Sequence, residues 1–378
     1  MKIGLVLERF DPRRGGLEHW TWQFARSLVK RGHEVHVVAF EFNPEIDISG
    51  IVADVIGEMP RSRIERAEML AAKLPAYGFD VVHDMGIGWH ADLIHPHAGS
   101  TIALWEQNLL RIPKWRQIRF WREKRYRELA EIERRQHQNN AATIVPLSRM
   151  LQRNFEELHH LPPARMRLIY NGVDGELFTP GNRARYREET RHELGLKDEV
   201  MFLMLAHNLL LKNAEAVIRS AAILIAKNAP VRVVIAGGKK PERFIKLAEK
   251  LGVSRAISFL GLVDSLPYYA AADAYVHPTW YDPCSLVTLE ASASGLPVIT
   301  TRCNGASELM TNGKEGFVLD DPADWATLAA RMGNLIDEAR REEMGAAGRE
   351  LALRHPFEAQ TTRFVDLYAE IVAVKARR

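Results

Sequence analysis

Cysteine is nearly absent: Cys284 and Cys303 are the only two in 378 residues. So few exclude a disulfide framework, and their spacing matches no metal-ligand pattern, so a reducing compartment is expected. Long apolar runs are missing too, and none reaches the roughly 18 residues that a membrane-crossing helix needs. The first apolar run, Ile3 to Leu7, turns polar at Glu8 and Arg9, which is too short for a secretory leader. The three-glycine dinucleotide fingerprint is also lacking, since Gly15-Gly16 stand without the third glycine. That disfavours a dehydrogenase, even though Glu41 could mimic the ribose-binding acid. His83, His95 and His97 alternate with Pro and Gly and form no paired ligand set, so no metal is expected.

What is present describes a soluble globular chain. It is 47% hydrophobic and 26% charged, long enough for two core-bearing domains. Short apolar runs alternate with amphipathic segments: Ile3 to Leu7, a helix from about Glu18 to Arg31, Val35 to Phe40, a helix around Arg63 to Leu74, then Val81 to His83. The second half repeats the rhythm with strands at Met201 to Ala206, Val231 to Ala236, Ala256 to Leu260, Ala274 to Pro278 and Val298 to Thr300. A βαβα order predicts parallel sheets with helices on both faces, hence an α/β chain of two doubly wound domains. The Asn171-Gly172 turn, Phe178-Thr179-Pro180 and the charged stretch after Asn182 read as a linker. The expected division is 1–178, 179–355 and a final helical segment 356–378.

The most informative stretch is Tyr281-Asp282-Pro283-Cys284-Ser285-Leu286-Val287-Thr288-Leu289-Glu290, continuing through Gly295-Leu296-Pro297-Val298-Ile299 to Asn304-Gly305-Ala306-Ser307-Glu308. An Asp before Pro predicts a helix start with Asp282 as N-cap, and Leu286, Leu289 and Ala293 recur at helical spacing behind it. Such a helix end offers unpaired N–H groups around Ser285, Leu286 and Val287 to a phosphate, and Glu290, farther on, suits sugar hydroxyls.

These residues resemble the signature of the retaining glycosyltransferases of family four, in which two acids with seven residues between them precede an Ala-rich helix and Gly-Leu-Pro-Val. The resemblance implies two facing Rossmann-like domains with an interdomain cleft, the GT-B arrangement. By that likeness Glu290 holds the ribose of a sugar nucleotide, and Asp282, where the family carries Glu, contacts the transferred sugar. A purely capping role for Asp282 stays open beside it. Other segments carry the same likeness. Pro12 to Glu18, with Gly15 and Gly16, matches the family's first loop, which touches the donor diphosphate and the acceptor. His97 best matches the family histidine near the reacting sugar, with His83 and His95 as lesser candidates. Gly261 and Leu262 sit where backbone atoms contact the base. Asn171-Gly172-Val173-Asp174 ends the first domain, and the final helix is implied to return to it. After the strand ending at Ala206 the family carries Arg, then Lys and Gly, to neutralise the leaving diphosphate. Here Lys212 is present, but Leu210 and Asn213 replace the expected Arg and Gly.

Arg111 to Arg127 holds eight basic residues and one acid, a local +7 against +3 for the whole chain. Trp115 and Trp121 interleave with Arg119 and Arg122, so this stretch is expected to face the acceptor or an anionic membrane surface. A solvated basic face is the plain alternative, and no nucleic-acid module accompanies it.

Together these features predict a retaining, metal-independent hexosyltransferase without a cofactor. It would move a sugar from a nucleotide-sugar, UDP-sugar by frequency in the family, to a saccharide acceptor. Closeness to lipopolysaccharide core glycosyltransferases suggests a cell-envelope glycan or glycolipid acceptor, and a cytoplasmic enzyme peripheral on the inner membrane face. The alternatives are a binding protein of the same fold without transfer activity, and a sugar-nucleotide epimerase.

Overall fold

The computed structural model describes residues 1–109, 117, 123–138, 142–238 and 241–377, and divides into two compact units. Unit 1 is Met1–Tyr170 with Glu358–Arg378, and unit 2 is Asn171–Phe357. Among the described residues no helix is long and apolar enough to cross a membrane.

Unit 1 contains strands β1 (Lys2–Val6), β2 (Arg9–Phe10), β3 (Glu34–Ala39), β4 (Glu41–Phe42), β5 (Ile51–Val55), β6 (Val81–Asp84), β7 (Leu93–Ile94) and β8 (Thr143–Ile144). Six of them form one parallel sheet in the order β5-β3-β1-β6-β7-β8, while β2 pairs with β4. Apart from Lys2 and Glu34 at their starts, β1 and β3 are buried throughout, as parallel strands covered on both faces must be. The helix Gly16–Lys30 packs Trp20, Phe24 and Leu28 inward. The carboxyl-terminal helix Phe357–Lys375 packs against it within this unit: Phe364 lies 5.2 Å from the Phe24 ring, and Trp20 Nε1 donates to Gln360 Oε1 at 3.1 Å.

Unit 2 repeats the plan with β9 (Val200–Leu205), β10 (Val231–Ala236), β11 (Ile257–Phe259), β12 (Ala274–His277), β13 (Val298–Thr301) and β14 (Gly316–Leu319). All are parallel, in the order β11-β10-β9-β12-β13-β14. Strand order reverses between β9 and β12, so the loops leaving their carboxyl ends lie side by side with no helix between them. In open sheets that is where ligands bind.

The units divide a few residues before position 178 and after position 355, and the linker explains the offset. Val173 N donates to His355 O at 3.0 Å and Phe357 N to Val173 O at 3.0 Å, which ties 171–178 into unit 2. Arg349 reinforces this by donating to Phe178 O and Ala293 O through Nη1 and to Gly175 O through Nη2. A Cβ on Gly172 would sit 2.7 Å from Phe357 Cα, so that crossing admits only glycine. A second close approach holds the helix Glu338–Leu353 on the turn after Leu286–Ala293: a Cβ on Gly345 would lie 2.2 Å from the Gly295 carbonyl oxygen.

Candidate active site

The loop after β9 is built around a left-handed residue. Asn213 adopts φ 63°, a conformation that Asn tolerates better than most residues, which accounts for Asn where the family likeness leads one to expect Gly. Its side chain accepts from Ala216 N at 3.4 Å, capping the helix Ala214–Ile225, and donates to Pro322 O at 2.7 Å. Asn208 Oδ1 accepts from Leu211 N at 3.1 Å, closing the turn that presents Lys212.

Lys212 Nζ donates to Asp282 Oδ2 at 2.6 Å and to Tyr281 O at 3.2 Å. Both side chains are largely enclosed, 18% and 14% exposed. On the other side His277 Nε2 lies 3.2 Å from the same Asp282 oxygen, and His277 is fully buried. Its Nδ1 faces the Tyr275 hydroxyl at 3.5 Å, which in turn donates to Leu205 O. Burial acts to raise the Asp282 pKa, but Lys212 and the hydrogen bond from His277 override it and hold this carboxyl well below the usual range. Burial holds His277 below its ordinary value, against the pull of Asp282.

Asp282 is therefore an ion-pair partner and not the helix cap. Ser285 caps the helix Leu286–Ala293, accepting from Thr288 N at 3.3 Å, so the helix starts later than the Asp-Pro signal predicts. Asn304, completely buried, fixes this end: Oδ1 accepts from Ser285 N and Ala306 N, and Nδ2 donates to the Thr288 and Thr300 hydroxyls. With Ser285 N taken, the helix end offers the N–H groups of Leu286 and Val287, to which the helix itself supplies no acceptor. Asp282, which holds Lys212 from the neighbouring loop, stands shortly before these two amides in the chain.

Glu290, on the same helix, accepts from Tyr269 Oη at 2.8 Å, and that hydroxyl also reaches Val287 O at 3.1 Å. Burial pushes the Glu290 carboxyl up to about 7, partly offset by the Tyr269 bond. Between its ordinary 4.5 and about 7 the folded chain keeps a proton that the unfolded chain has lost, so stability falls as pH rises through that window. Glu290→Gln is expected to remove this slope, the wild type losing on the order of 3 kcal/mol more than the variant between about pH 5 and about pH 8. Denaturant midpoints at those two pH values check it, and equal slopes would refute the shift.

Gly261 has φ 70°, as a glycine position should, and Leu262 is 62% exposed beside it. In unit 1, Gly15 is extended and precedes the helix Gly16–Lys30 without a side-chain cap. His83, His95 and His97 gather in an aromatic box. Ring centroids lie 5.3 Å apart for His83 and His95 and 4.1 Å for His95 and His97, with Trp20 4.7 Å from His97. Burial keeps all three neutral, pulling His97 to about 3 and the others well below their ordinary value. His97 Nε2 is enclosed without a hydrogen-bond partner among the described residues. Trp115, Arg119, Trp121 and Arg122 lie outside the described residues. His277, Tyr269 and Asn304 were not marked as site residues by the sequence, because each acts through a partner distant in the chain or hidden by a strand end.

Comparison with known proteins agrees with this architecture. Residues 14–177 match the family described as Glycosyltransferase Family 4, and residues 186–351 match Glycosyl transferases group 1. The D-inositol 3-phosphate glycosyltransferase of Corynebacterium urealyticum is 31% identical over 62% of this chain, a match spanning only 58% of that relative. The enzyme of the same name from Thermomonospora curvata is 27% identical over 94% of this chain and 90% of its own length. Among solved structures, WaaG, a glycosyltransferase involved in lipopolysaccharide biosynthesis, superposes with TM-score 0.83 at 20% identity, covering 97% of this chain and 99% of its own. Anabaena HepE in complex with UDP-glucose gives TM-score 0.74 at 19% identity over 98% and 100%. The fold is GT-B.

Proposed function

This chain belongs to glycosyltransferase family four, and from that premise we propose that it moves a hexose from a UDP-sugar to a saccharide acceptor with retention of anomeric configuration. The observation that carries the reading is Lys212 held against Asp282 beside the open amides of Leu286 and Val287. A fixed cation and a helix N-terminus aimed at one place suit a departing nucleoside diphosphate, whose charge grows as the glycosidic bond breaks. Asp282 contacts the sugar, Glu290 the ribose, and backbone at Gly261 and Leu262 the base. Gly15 and Gly16 serve the donor diphosphate and the acceptor, and His97 the reacting sugar. A donor phosphate oxygen takes the acceptor's proton, so neither a protein nucleophile nor a metal acts at the reacting carbon.

UDP as the base carrier is supported by the HepE complex, and an envelope saccharide acceptor by the likeness to WaaG. The basic, Trp-containing stretch 111–127 would bring the enzyme to the anionic inner face of the membrane where such acceptors are anchored. A screen of UDP-, GDP- and ADP-sugars for slow hydrolysis tests the reading. Release of UDP and an α-sugar from an α-linked UDP-sugar is expected, together with flotation on anionic liposomes that salt reverses. Nucleotide binding with no sugar release, even with envelope acceptors present, would make it a binding protein, as Leu210 in place of a phosphate-binding Arg would allow.

A further inference from the structure

Two helices of unit 1 that carry none of the motif residues, Lys124–Gln138 and Arg149–His159, meet at a cluster of two histidines and a glutamate. Glu133 and His137 stand one turn apart on the first helix and therefore share a face, and His159 ends the second. Glu133 is buried. Its Oε1 lies 3.0 Å from His159 Nε2, and its Oε2 accepts from Thr101 N at 2.8 Å. The His137 and His159 rings are 4.0 Å apart. His137 Nδ1 is enclosed with no hydrogen-bond partner among the described residues. One nitrogen or oxygen from each of the three residues lies within 4.8 Å of the others.

The geometry points to a divalent transition-metal site, with Glu133, His137 and His159 as ligands and Zn2+ as the ion that two imidazoles and a carboxylate suit best. Bonds of about 2.0–2.1 Å to a tetrahedral ion put ligand atoms about 3.3 Å apart, which these side chains reach by small rotations. Zn2+ commonly takes three protein ligands and leaves a fourth position to water. A cavity of about 410 Å³, lined by His159 with Ile102, Trp105, Arg127, Glu131 and Arg134, can supply that water. The bond from Thr101 N to Glu133 is the outer-shell contact that orients a ligating carboxylate. Arg127, Arg134 and Arg165 are cations near the site, and the Arg165 guanidinium is drawn onto the carbonyls of His137 and Ala142. A hydrogen bond between Glu133 and His159 alone leaves the His137 nitrogen unsatisfied against a second imidazole, whereas an ion engages all three groups. The ion would fasten the two helices together and takes no part in sugar transfer.

Tag-free full-length protein, stripped with a chelator and dialysed, is titrated with Co2+ followed by visible absorption and with Zn2+ followed by calorimetry and thermal unfolding. The site predicts one ion per chain, the visible bands of four-coordinate Co2+, and a rise of several degrees in the unfolding midpoint with Zn2+ in excess. His137→Gln and Glu133→Gln should each weaken binding at least about tenfold, with circular dichroism confirming that they fold. No stoichiometric binding by the wild type would overturn the proposal. So would undiminished affinity in both variants, which would assign the ion to other histidines of the surface.

Discussion

Replacing Lys212 with alanine is expected to slow sugar transfer about 100- to 1,000-fold, the usual cost of removing one fixed group that stabilises charge growing in the transition state. Lys212 is ready for that role because Asp282 and the Tyr281 carbonyl hold its ammonium in place before any donor arrives. The same contacts make the substitution structurally costly. With Lys212 gone, Asp282 stays enclosed with His277 as its remaining side-chain partner among the described residues, and breaking such a pair from one side costs about 3–5 kcal/mol. A double variant, Lys212→Ala with Asp282→Ala, separates the two effects. It should recover much of the lost stability and none of the lost rate, measured as the denaturant midpoint and as UDP release. If the double variant recovered activity along with stability, Lys212 would be a structural lysine only.

Asp282→Asn is the second large effect. The amide keeps the shape and can still accept from His277, but it leaves the Lys212 charge without a counterion in an enclosed place. We expect turnover to fall about 10- to 100-fold, as for loss of one charge-assisted contact to substrate. A loss of stability on the scale of a half-broken buried pair is expected with it, about 3–5 kcal/mol. The pH dependence follows from the sign of the shift. Because the folded carboxyl titrates well below its ordinary 3.8, it contributes stability above that value, and the contribution is lost as pH falls below it. Wild-type midpoints should therefore drop more steeply on acidification below about pH 4 than those of the Asn variant. A variant as stable as wild type across that range, with normal turnover, would show that neither the pair with Lys212 nor a sugar contact depends on the Asp282 charge.

That capping role shows where local sequence stops being informative. Asp-Pro is a sound helix-start signal, yet the Asp282 carboxylate is claimed by Lys212, 70 positions earlier in the chain, and Ser285 takes over as cap. No short-range pattern marks that competition. The regular frame was far more legible: Val231–Ala236 and Ala274–His277 stand within a residue of where their apolar runs placed them, because buried parallel strands are continuous in Val, Ile and Ala. Leu93–Ile94 and Thr143–Ile144 are two-residue strands that no periodicity can reveal, and Ile51–Val55 turns four of its five side chains at least partly to solvent, with Asp54 among them. His277 reads as one more residue of a core strand, since nothing beside it announces that its ring will meet a carboxylate around the following turn. Leu210 in place of the expected Arg is legible in the sequence itself, and the structure leaves it 43% exposed.

The crossing at Gly345 has a bearing on how chains like this one are recognised. The helix that bears Gly345 presses on the carbonyl of Gly295, the first residue of the Gly-Leu-Pro-Val word by which relatives are found. Gly295 itself is held by a left-handed φ of 76° and by Pro180 Cγ, 2.9 Å from where its Cβ would stand, so a backbone demand keeps it glycine and would persist in a descendant that had lost Lys212. On the function proposed above, kinship and competence are inscribed in separate letters of the same region, and sorting working enzymes from silent ones calls for reading positions 212 and 282 rather than 295 to 298.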